Sequence, residues 1–393
     1  MHEWILTRID LWRAIGVVVA VLVLTLAAIL LYASPDSPHV QFSIEGLQSR
    51  SPLGTPPRAE REFKLTLEVP PDITNLNNDW LRESQSSVSN ALMEDLAVRG
   101  WAAPELTGNA YEVDAESTQI VMRDFYIDSP DDILLDNAIA LRLRYRFDNI
   151  DGLDGHEAAP TVRRHFPFRA EVQAKVDREE QGNGFSVSNE SRLEFRVEAS
   201  PFSEGRLPPP APWPLDDVLP IALSGLFEDS PTTPGALLAR ALEETGLSGL
   251  IDLNVTLVAV STRTRLHMNM VTEYGSGPNP EQAFILSLDR TDVYDGPRYM
   301  EYLEVARLGN IPRPRPVGTF YEMEIEFERN VSTRLDNVIA SGGSDSDSRL
   351  RDAFIEDQQR IREVVGYVFA AMDIRTSGGN LSKYQRASDL FAP

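Results

Sequence analysis

Along much of the chain, apolar and polar residues alternate with a period of two, which places successive side chains on opposite faces of an extended strand. The segments that carry this pattern are Arg61–Val69, Gln119–Ile127, Ala138–Asp148, Pro167–Asp177, Ser191–Ala199, Leu253–Met268, Phe284–Val293 and Phe320–Glu328. Helical spacing marks Asp79–Arg99, Leu215–Glu228, Gly235–Thr245, Arg298–Leu308 and Ser348–Met372, where apolar positions such as Val88, Leu92 and Leu96 form one stripe. The proline run from Leu207 to Pro214 cannot join a ladder or a helix interior, so it predicts a loop leading into a helical insertion at about residues 200–250. Ser341–Ser348 predicts a short flexible loop before the last long helix.

The polar faces of the strands are formally charged. Arg142, Arg144 and Arg146 share a face opposed by Leu141, Leu143, Tyr145 and Phe147. Glu171, Gln173 and Lys175 oppose Val172, Ala174 and Val176, and Glu322, Glu324, Glu326 and Glu328 oppose Met323, Ile325 and Phe327. Glu60, Glu62 and Lys64 share a face, as do Arg263, Arg265 and His267. A sheet with its polar face in water would show the same period. Like charges two apart on one strand repel, however, unless counter-charges or a ligand lie between them. Eight antiparallel strands closed into a barrel, charged faces inward and apolar faces covered by helices, would supply such neighbours. The expected fold class is therefore α+β dominated by β, with a cationic set for a polyanion and an acidic set for a divalent metal. Arg146 and Glu328 are expected at the rim, and His267 is given no role.

The N-terminus breaks the pattern. Ala14–Ala33 carries no charged residue, and at 1.5 Å per residue it matches the ~30 Å hydrocarbon core of a bilayer. It predicts one N-terminal transmembrane helix after a cytoplasmic segment at residues 1–13. Arg8 and Arg13 precede the span and Arg50 is the first arginine or lysine after it, so a single-pass membrane protein with its main domain outside the cytoplasm is expected. Residues 34–58 form a proline-rich tether, and residues 59–390 the main domain.

Composition then narrows the chemistry. The chain has 393 residues, with 37 Lys plus Arg against 60 Asp plus Glu and a formal charge of −23. That balance argues against a general nucleic-acid binder. Cysteine is absent, which excludes disulfides, cysteine-ligated zinc and thiol nucleophiles. The only lysines are Lys64, Lys175 and Lys383, and the other basic residues are arginine.

These residues resemble the CYTH, or triphosphate tunnel metalloenzyme, family. Glu60-Arg-Glu62-Phe-Lys64 is similar to the family's Glu-x-Glu-x-Lys first strand. Tyr126-Ile-Asp128-Ser-Pro130 followed by Arg142-Leu-Arg144 resembles its second and third strands. Lys175, Arg192-Leu-Glu194, Arg263-Thr-Arg265, Leu286-Ser-Leu-Asp289, Glu322-Met-Glu324 and Leu381-Ser-Lys383-Tyr384 continue the likeness in order. Ser129 stands where threonine is commoner, and Arg196 where an acid is often found.

The resemblance implies metal-dependent hydrolysis of a triphosphate compound such as tripolyphosphate or a nucleoside or thiamine triphosphate. It implies Mg2+ or Mn2+ on Glu60, Glu62, Glu194, Asp289, Glu322 and Glu324. Phosphates would be held by Lys64, Arg142, Arg144, Lys175, Arg192, Arg263 and Arg265, with Glu62 and Lys64 in catalytic roles. The implied partners are a triphosphate or polyphosphate ligand and, through the N-terminal helix, a membrane. An adenylate cyclase-like or polyphosphate-synthesising relative, or a non-catalytic polyanion sensor, is the alternative.

Overall fold

In a computed structural model of the chain, the structure describes residues 58–69, 78–117, 119–147, 169–179, 186–196, 253–272, 281–306, 313–328, 345–378 and 381–391. All of them fall within one compact unit, Leu47–Val197 with Pro209–Pro393. The strands are β1 (Arg58–Glu68), β2 (Asn109–Ala115), β3 (Ile120–Asp128), β4 (Ile139–Phe147), β5 (Arg169–Glu179), β6 (Ser186–Arg196), β7 (Asn254–Thr272), β8 (Glu281–Asp295), β9 (Gly318–Phe327) and β10 (Arg375–Gly378). The helices are α1 (Asn78–Val98), α2 (Ala102–Thr107), α3 (Ile133–Asp136), α4 (Gly296–Ala306), α5 (Asp345–Ala371) and α6 (Lys383–Asp389).

The strands form one 10-stranded sheet along the path β10-β1-β6-β5-β4-β3-β7-β8-β9, with β2 joined to β7 and a further pairing of β1 with β9. All its pairings are antiparallel. This corrects the expected eight-stranded closed barrel. Strand β1 meets β6 over Arg58–Glu62 and β9 over Glu62–Leu67, so the two pairings are staggered and share only Glu62, while β10 takes Leu65–Glu68. Strand β7 likewise changes partner, from β3 along Asn254–Arg263 to β2 along Leu266–Thr272. At that change Arg265 O accepts from Glu116 N at 3.0 Å and from Gln85 Nε2 of α1 at 2.6 Å, so the carbonyl between the two pairings stays satisfied.

The apolar faces of β1, β7, β8 and β9 form the main core, through Phe63, Leu65, Leu286, Met323 and Ile325. Leu81, Val88 and Leu92 of α1 and Phe354, Ile361, Val365 and Phe369 of α5 pack onto it. These spacings keep each set on one helical face, and burying side chains of this size contributes roughly 1.5–3 kcal/mol each. Asp357 of α5 accepts from the Ala102 and Ala103 amides at 2.8 and 2.9 Å, so a neighbouring helix caps the start of α2. Gly296 lets α4 start directly after β8, because a Cβ there would lie 2.5 Å from Val255 O.

The expected strands are all present with shifted ends, and β2, β10, α2, α3 and α6 are additions. Residues 345–348, expected in a loop, begin α5. The proline run, the insertion at about residues 200–250 with its two helices, the tether up to Pro57 and Ala14–Ala33 lie outside the described residues, while Arg58, expected in the tether, begins β1. The expectation of a single-pass membrane protein is corrected. Among the described residues no helix is long and apolar enough to cross a membrane.

Candidate functional site

The charged faces are buried, not solvated. On β4, Leu141, Leu143 and Tyr145 are shielded on one side and Arg144 and Arg146 on the other, with Arg142 half-buried. Register explains how the arginines are tolerated. Antiparallel pairing sets Asp124 directly opposite Arg144, and Arg144 opposite Glu171. The Arg144 guanidinium donates through Nε and Nη2 to the two Asp124 oxygens, each at 2.6 Å. Arg142 Nη1 donates to Asp124 and to Tyr126 Oη, both at 3.2 Å, and its Nε to Gln173. Arg146 donates to Glu171 at 2.8 Å. Burial pushes the Asp124 carboxyl up, but Arg144 and Arg142 outweigh it and hold the group well below the usual carboxylate range.

The opposite wall is acidic. Asp289 of β8 lies in register with Arg263 of β7 and Glu322 of β9. Arg263 donates to both Asp289 oxygens at 2.6 and 2.5 Å, and to Glu324 at 2.5 Å. Lys383, the first residue of α6, reaches the same carboxylates: its Nζ lies 2.5 Å from Asp289, 2.7 Å from Glu322 and 3.9 Å from Glu324. Arg386 Nη1 is 3.5 Å from Glu322. Burial lowers the Lys383 ammonium's affinity for its proton, yet Asp289, Glu322 and Glu324 overcome it and raise the group above its ordinary range. Burial also works against the Glu324 charge, and Arg263, then Lys383, Lys64 and Lys175, reverse that and hold its carboxyl well below normal.

Helix α6 is held in place by three features. A capping box joins Ser382 and Gln385 at its start. Tyr384 stacks on Tyr126 with ring centroids 4.8 Å apart and planes 4° from parallel. The Tyr384 hydroxyl donates to Asp128 at 2.9 Å and lies 3.1 Å from Thr256 Oγ1. Asp128 also accepts from the Ser129, Leu134 and Leu135 amides. The Tyr-x-Asp-Ser-Pro turn thus anchors both α3 and the helix that carries Lys383.

Between the walls is a cavity of about 290 Å³. Of the residues named from the sequence, Glu62, Lys64, Arg142, Arg144, Lys175, Arg263, Arg265 and Glu324 line it. Glu62 lies 2.7 Å from Lys64 Nζ and 2.5 Å from Lys175 Nζ. Among the described residues Arg265 makes no hydrogen bond or ion pair, and burial with the neighbouring Arg263 lowers its pKa. The side chains of Glu60, Arg192 and Glu194 lie outside the described residues; their backbones place them on β1 and β6.

Sequence reasoning overlooked several members. Arg146 and Glu328, expected at the rim, line the cavity, as do Tyr126, Lys383 and Tyr384. Asp124 and Glu171 are the acids that hold the arginines. Parity was the available signal: Glu171 shares the face of Lys175 on β5, and Asp124 shares the face of Tyr126 and Asp128 on β3. For Lys383 it was rarity. His267, left without a role, pairs with Glu116 at 2.8 Å.

Among the described residues one group fits a hard divalent cation: Asp289, Glu322 and Glu324 each offer an oxygen, all within 4.8 Å of one another. Glu322 is fully buried and neither of its oxygens accepts an aligned hydrogen bond. Glu62 stands apart from this group, held by its two lysines.

No family model matches the chain, and no curated protein does. Several solved structures are similar to it. A Hippeastrum protein named as an adenylyl cyclase, and described as having a dominant triphosphatase activity, has 14% identity and a TM-score of 0.36, covering 84% of this chain and 95% of that one. A Pyrococcus horikoshii protein has 12% identity and a TM-score of 0.31, covering 84% and 98%. The S. pombe RNA triphosphatase has 10% identity and a TM-score of 0.27, covering 82% and 90%. The neighbours are CYTH-type proteins, the family named from the sequence. At these identities and scores they add no weight to a functional reading, which rests on the residues of the site.

Proposed function

We propose that the chain is a metal-dependent phosphohydrolase of a triphosphate compound. The observation that carries this reading is the meeting of Lys64, Arg142, Arg144, Lys175, Arg263 and Arg265 around one cavity, beside a buried carboxylate trio. Cations at this density suit a ligand with several negative charges in a row. The arginine forks suit two oxygens of one phosphate, and the lysines act as compact point charges. Arg265, which makes no ion pair among the described residues, offers its charge to a ligand without first breaking a contact.

In this reading Asp289, Glu322 and Glu324 would hold Mg2+ or Mn2+, with Glu60 and Glu194 completing the set when substrate is present and Glu62 orienting the water instead. The ion would neutralise phosphate charge and polarise the bond that breaks. Glu62 accepts a hydrogen bond from the attacking water and aligns it with the phosphorus. Lys64 sets its ammonium beside the leaving oxygen, where negative charge grows in the transition state. Glu62 is held in place for this by Lys64 and Lys175.

The test is phosphate release from tripolyphosphate, ATP and thiamine triphosphate by the purified chain, with Mg2+ or Mn2+. Turnover of at least one, abolished by chelation and by Glu62→Ala and lowered by Lys64→Ala, is the expected result. Pyrophosphate and a cyclic nucleotide from ATP select a cyclase instead. Polyanion binding without turnover of any substrate selects a sensor and overturns the hydrolase.

A further inference from the structure

Lys383 reaches all three carboxylates of the candidate metal cluster. Its Nζ is 2.5 Å from Asp289, 2.7 Å from Glu322 and 3.9 Å from Glu324, and its side chain is 5% exposed. It lines the cavity as well. Among the described residues Glu322, whose oxygens accept no aligned hydrogen bond, has its ion pairs with α6, to Lys383 at 2.7 Å and Arg386 at 3.5 Å, and it also feels the charge of Arg263. An ammonium in such a position does what a bound cation would do. It neutralises carboxylates that could not remain charged and buried alone.

We propose that Lys383 is a tethered counter-cation, and that its ammonium and a divalent metal ion occupy the Asp289–Glu322–Glu324 cluster in turn. This rests on the metal-dependent reading of the site. Within ion-pair distance the three carboxylates already face three cations, namely Arg263, Lys383 and Arg386, and the charges of Lys64 and Lys175 also act on Glu324. A divalent ion added to that set would leave uncompensated positive charge in a buried place, so one cation must withdraw.

Arg263 is poorly suited to withdraw. It sits on a central strand opposite Asp289 and grips both of that residue's oxygens. Lys383 is well suited, because its stem is flexible and it belongs to a seven-residue helix outside the sheet ladder. Its hold on the cluster depends on contacts made elsewhere by the next residue, Tyr384, with Tyr126, Asp128 and Thr256. Binding linkage is reciprocal: metal drives Lys383 out of the cluster, and loss of Lys383 tightens metal binding.

The small number of lysines makes the exchange directly readable. The full chain, labelled with 13C and 15N on lysine only, gives ammonium signals from Lys64, Lys175 and Lys383, assigned with the three single Lys→Arg variants. Mg2+ is then titrated in while calorimetry follows its binding. In the absence of metal the Lys383 signal is that of an immobilised, hydrogen-bonded ammonium. At saturation it moves to the position of a mobile lysine.

In parallel, Lys383→Met binds Mn2+ roughly tenfold more tightly than wild type, whereas Lys383→Arg, which keeps the charge, does not. Metal binding with an unmoved Lys383 signal overturns the proposal while leaving the metal-dependent reading intact. So does equal or weaker Mn2+ binding by a folded Lys383→Met. Absence of Mg2+ and Mn2+ binding by every form overturns both.

Discussion

On β3, β4 and β5 the buried arginines find their acids on the strand alongside, whereas on β8 and β9 much of the charge compensation comes from a helix 94 residues away in sequence from Asp289. Asp124 and Arg144 are register partners, as are Arg144 and Glu171. That wall is therefore assembled by the same hydrogen-bond ladder that builds the sheet. The acidic wall is half of this kind, through Arg263 and Asp289, and half supplied by Lys383 and Arg386 of α6. The first arrangement cannot change without opening the sheet. The second can exchange its cation while every strand stays paired, and such a site can bind and release an ion.

The largest effect is expected where the fixed wall is broken. Asp124→Ala strands Arg142 and Arg144 in a buried place, and breaking a buried pair in this way costs roughly 3–5 kcal/mol. Urea denaturation checks it, as a fall in midpoint at unchanged slope. The sign of the pH dependence follows from the same contact. The folded-state pKa of Asp124 lies below its ordinary 3.8, so its contribution is present above that pH and is lost as pH falls through the lowered value. Wild type loses this increment in acid, and Asp124→Asn has none to lose.

Why the arginine wall was half legible is visible in these residues. Period two alone identified the face of Arg142, Arg144 and Arg146, because alternation is a local property of the strand. The choice of Asp124 and Glu171 as their acids depends on register, which is set by the turn through Asp128 and α3 and by pairing with β5. The added strands were missed for a different reason. β10 reads Arg-Thr-Ser-Gly and has no apolar face, and in the seven residues of β2 the apolar face is only Tyr111, Val113 and Ala115, too short to mark a strand by itself. Each instead fills the free edge left where β1 or β7 changes partner. The stagger of β1 between β6 and β9 is likewise a property of pairings, and the simpler eight-stranded barrel was what alternation without register could offer. Lys383 was conspicuous as one of three lysines, but its approach to Asp289 and Glu322 is a tertiary contact that no spacing encodes.

A matched pair of substitutions sharpens the contrast between the walls. Glu322→Gln preserves shape on the exchangeable wall and removes a charge from the metal cluster. It is expected to lower metal-dependent phosphate release by roughly a hundredfold and to weaken Mn2+ binding seen by calorimetry. Glu171→Gln makes the same change on the fixed wall, where it deprives Arg146 of its partner at 2.8 Å. Its effect is expected in the denaturation midpoint, with Mn2+ affinity unchanged. Equal losses of Mn2+ affinity in the two variants would remove the distinction between the walls.

Alkaline pH separates them again, because lysine titrates there and arginine does not. The folded-state pKa of Lys383 is raised above its ordinary 10.5. Its contribution is therefore complete below 10.5 and is lost as pH rises through the raised value. The metal-free wild type is expected to lose stability above pH 10.5 more steeply than Lys383→Met, as measured by denaturation midpoints across that range.

The smallest effect is expected from Tyr384→Phe, which keeps the ring stacked on Tyr126 and deletes only the hydroxyl that donates to Asp128 at 2.9 Å. Loss of one such hydrogen bond costs about 1 kcal/mol. Asp128 retains the Ser129, Leu134 and Leu135 amides, so the turn itself survives. What weakens is the tether on α6, and with it the competition from Lys383. A small rise in Mn2+ affinity should therefore accompany the small fall in metal-free stability. A fall in both would show that the hydroxyl supports the acidic cluster directly, and would place Tyr384 with the fixed wall.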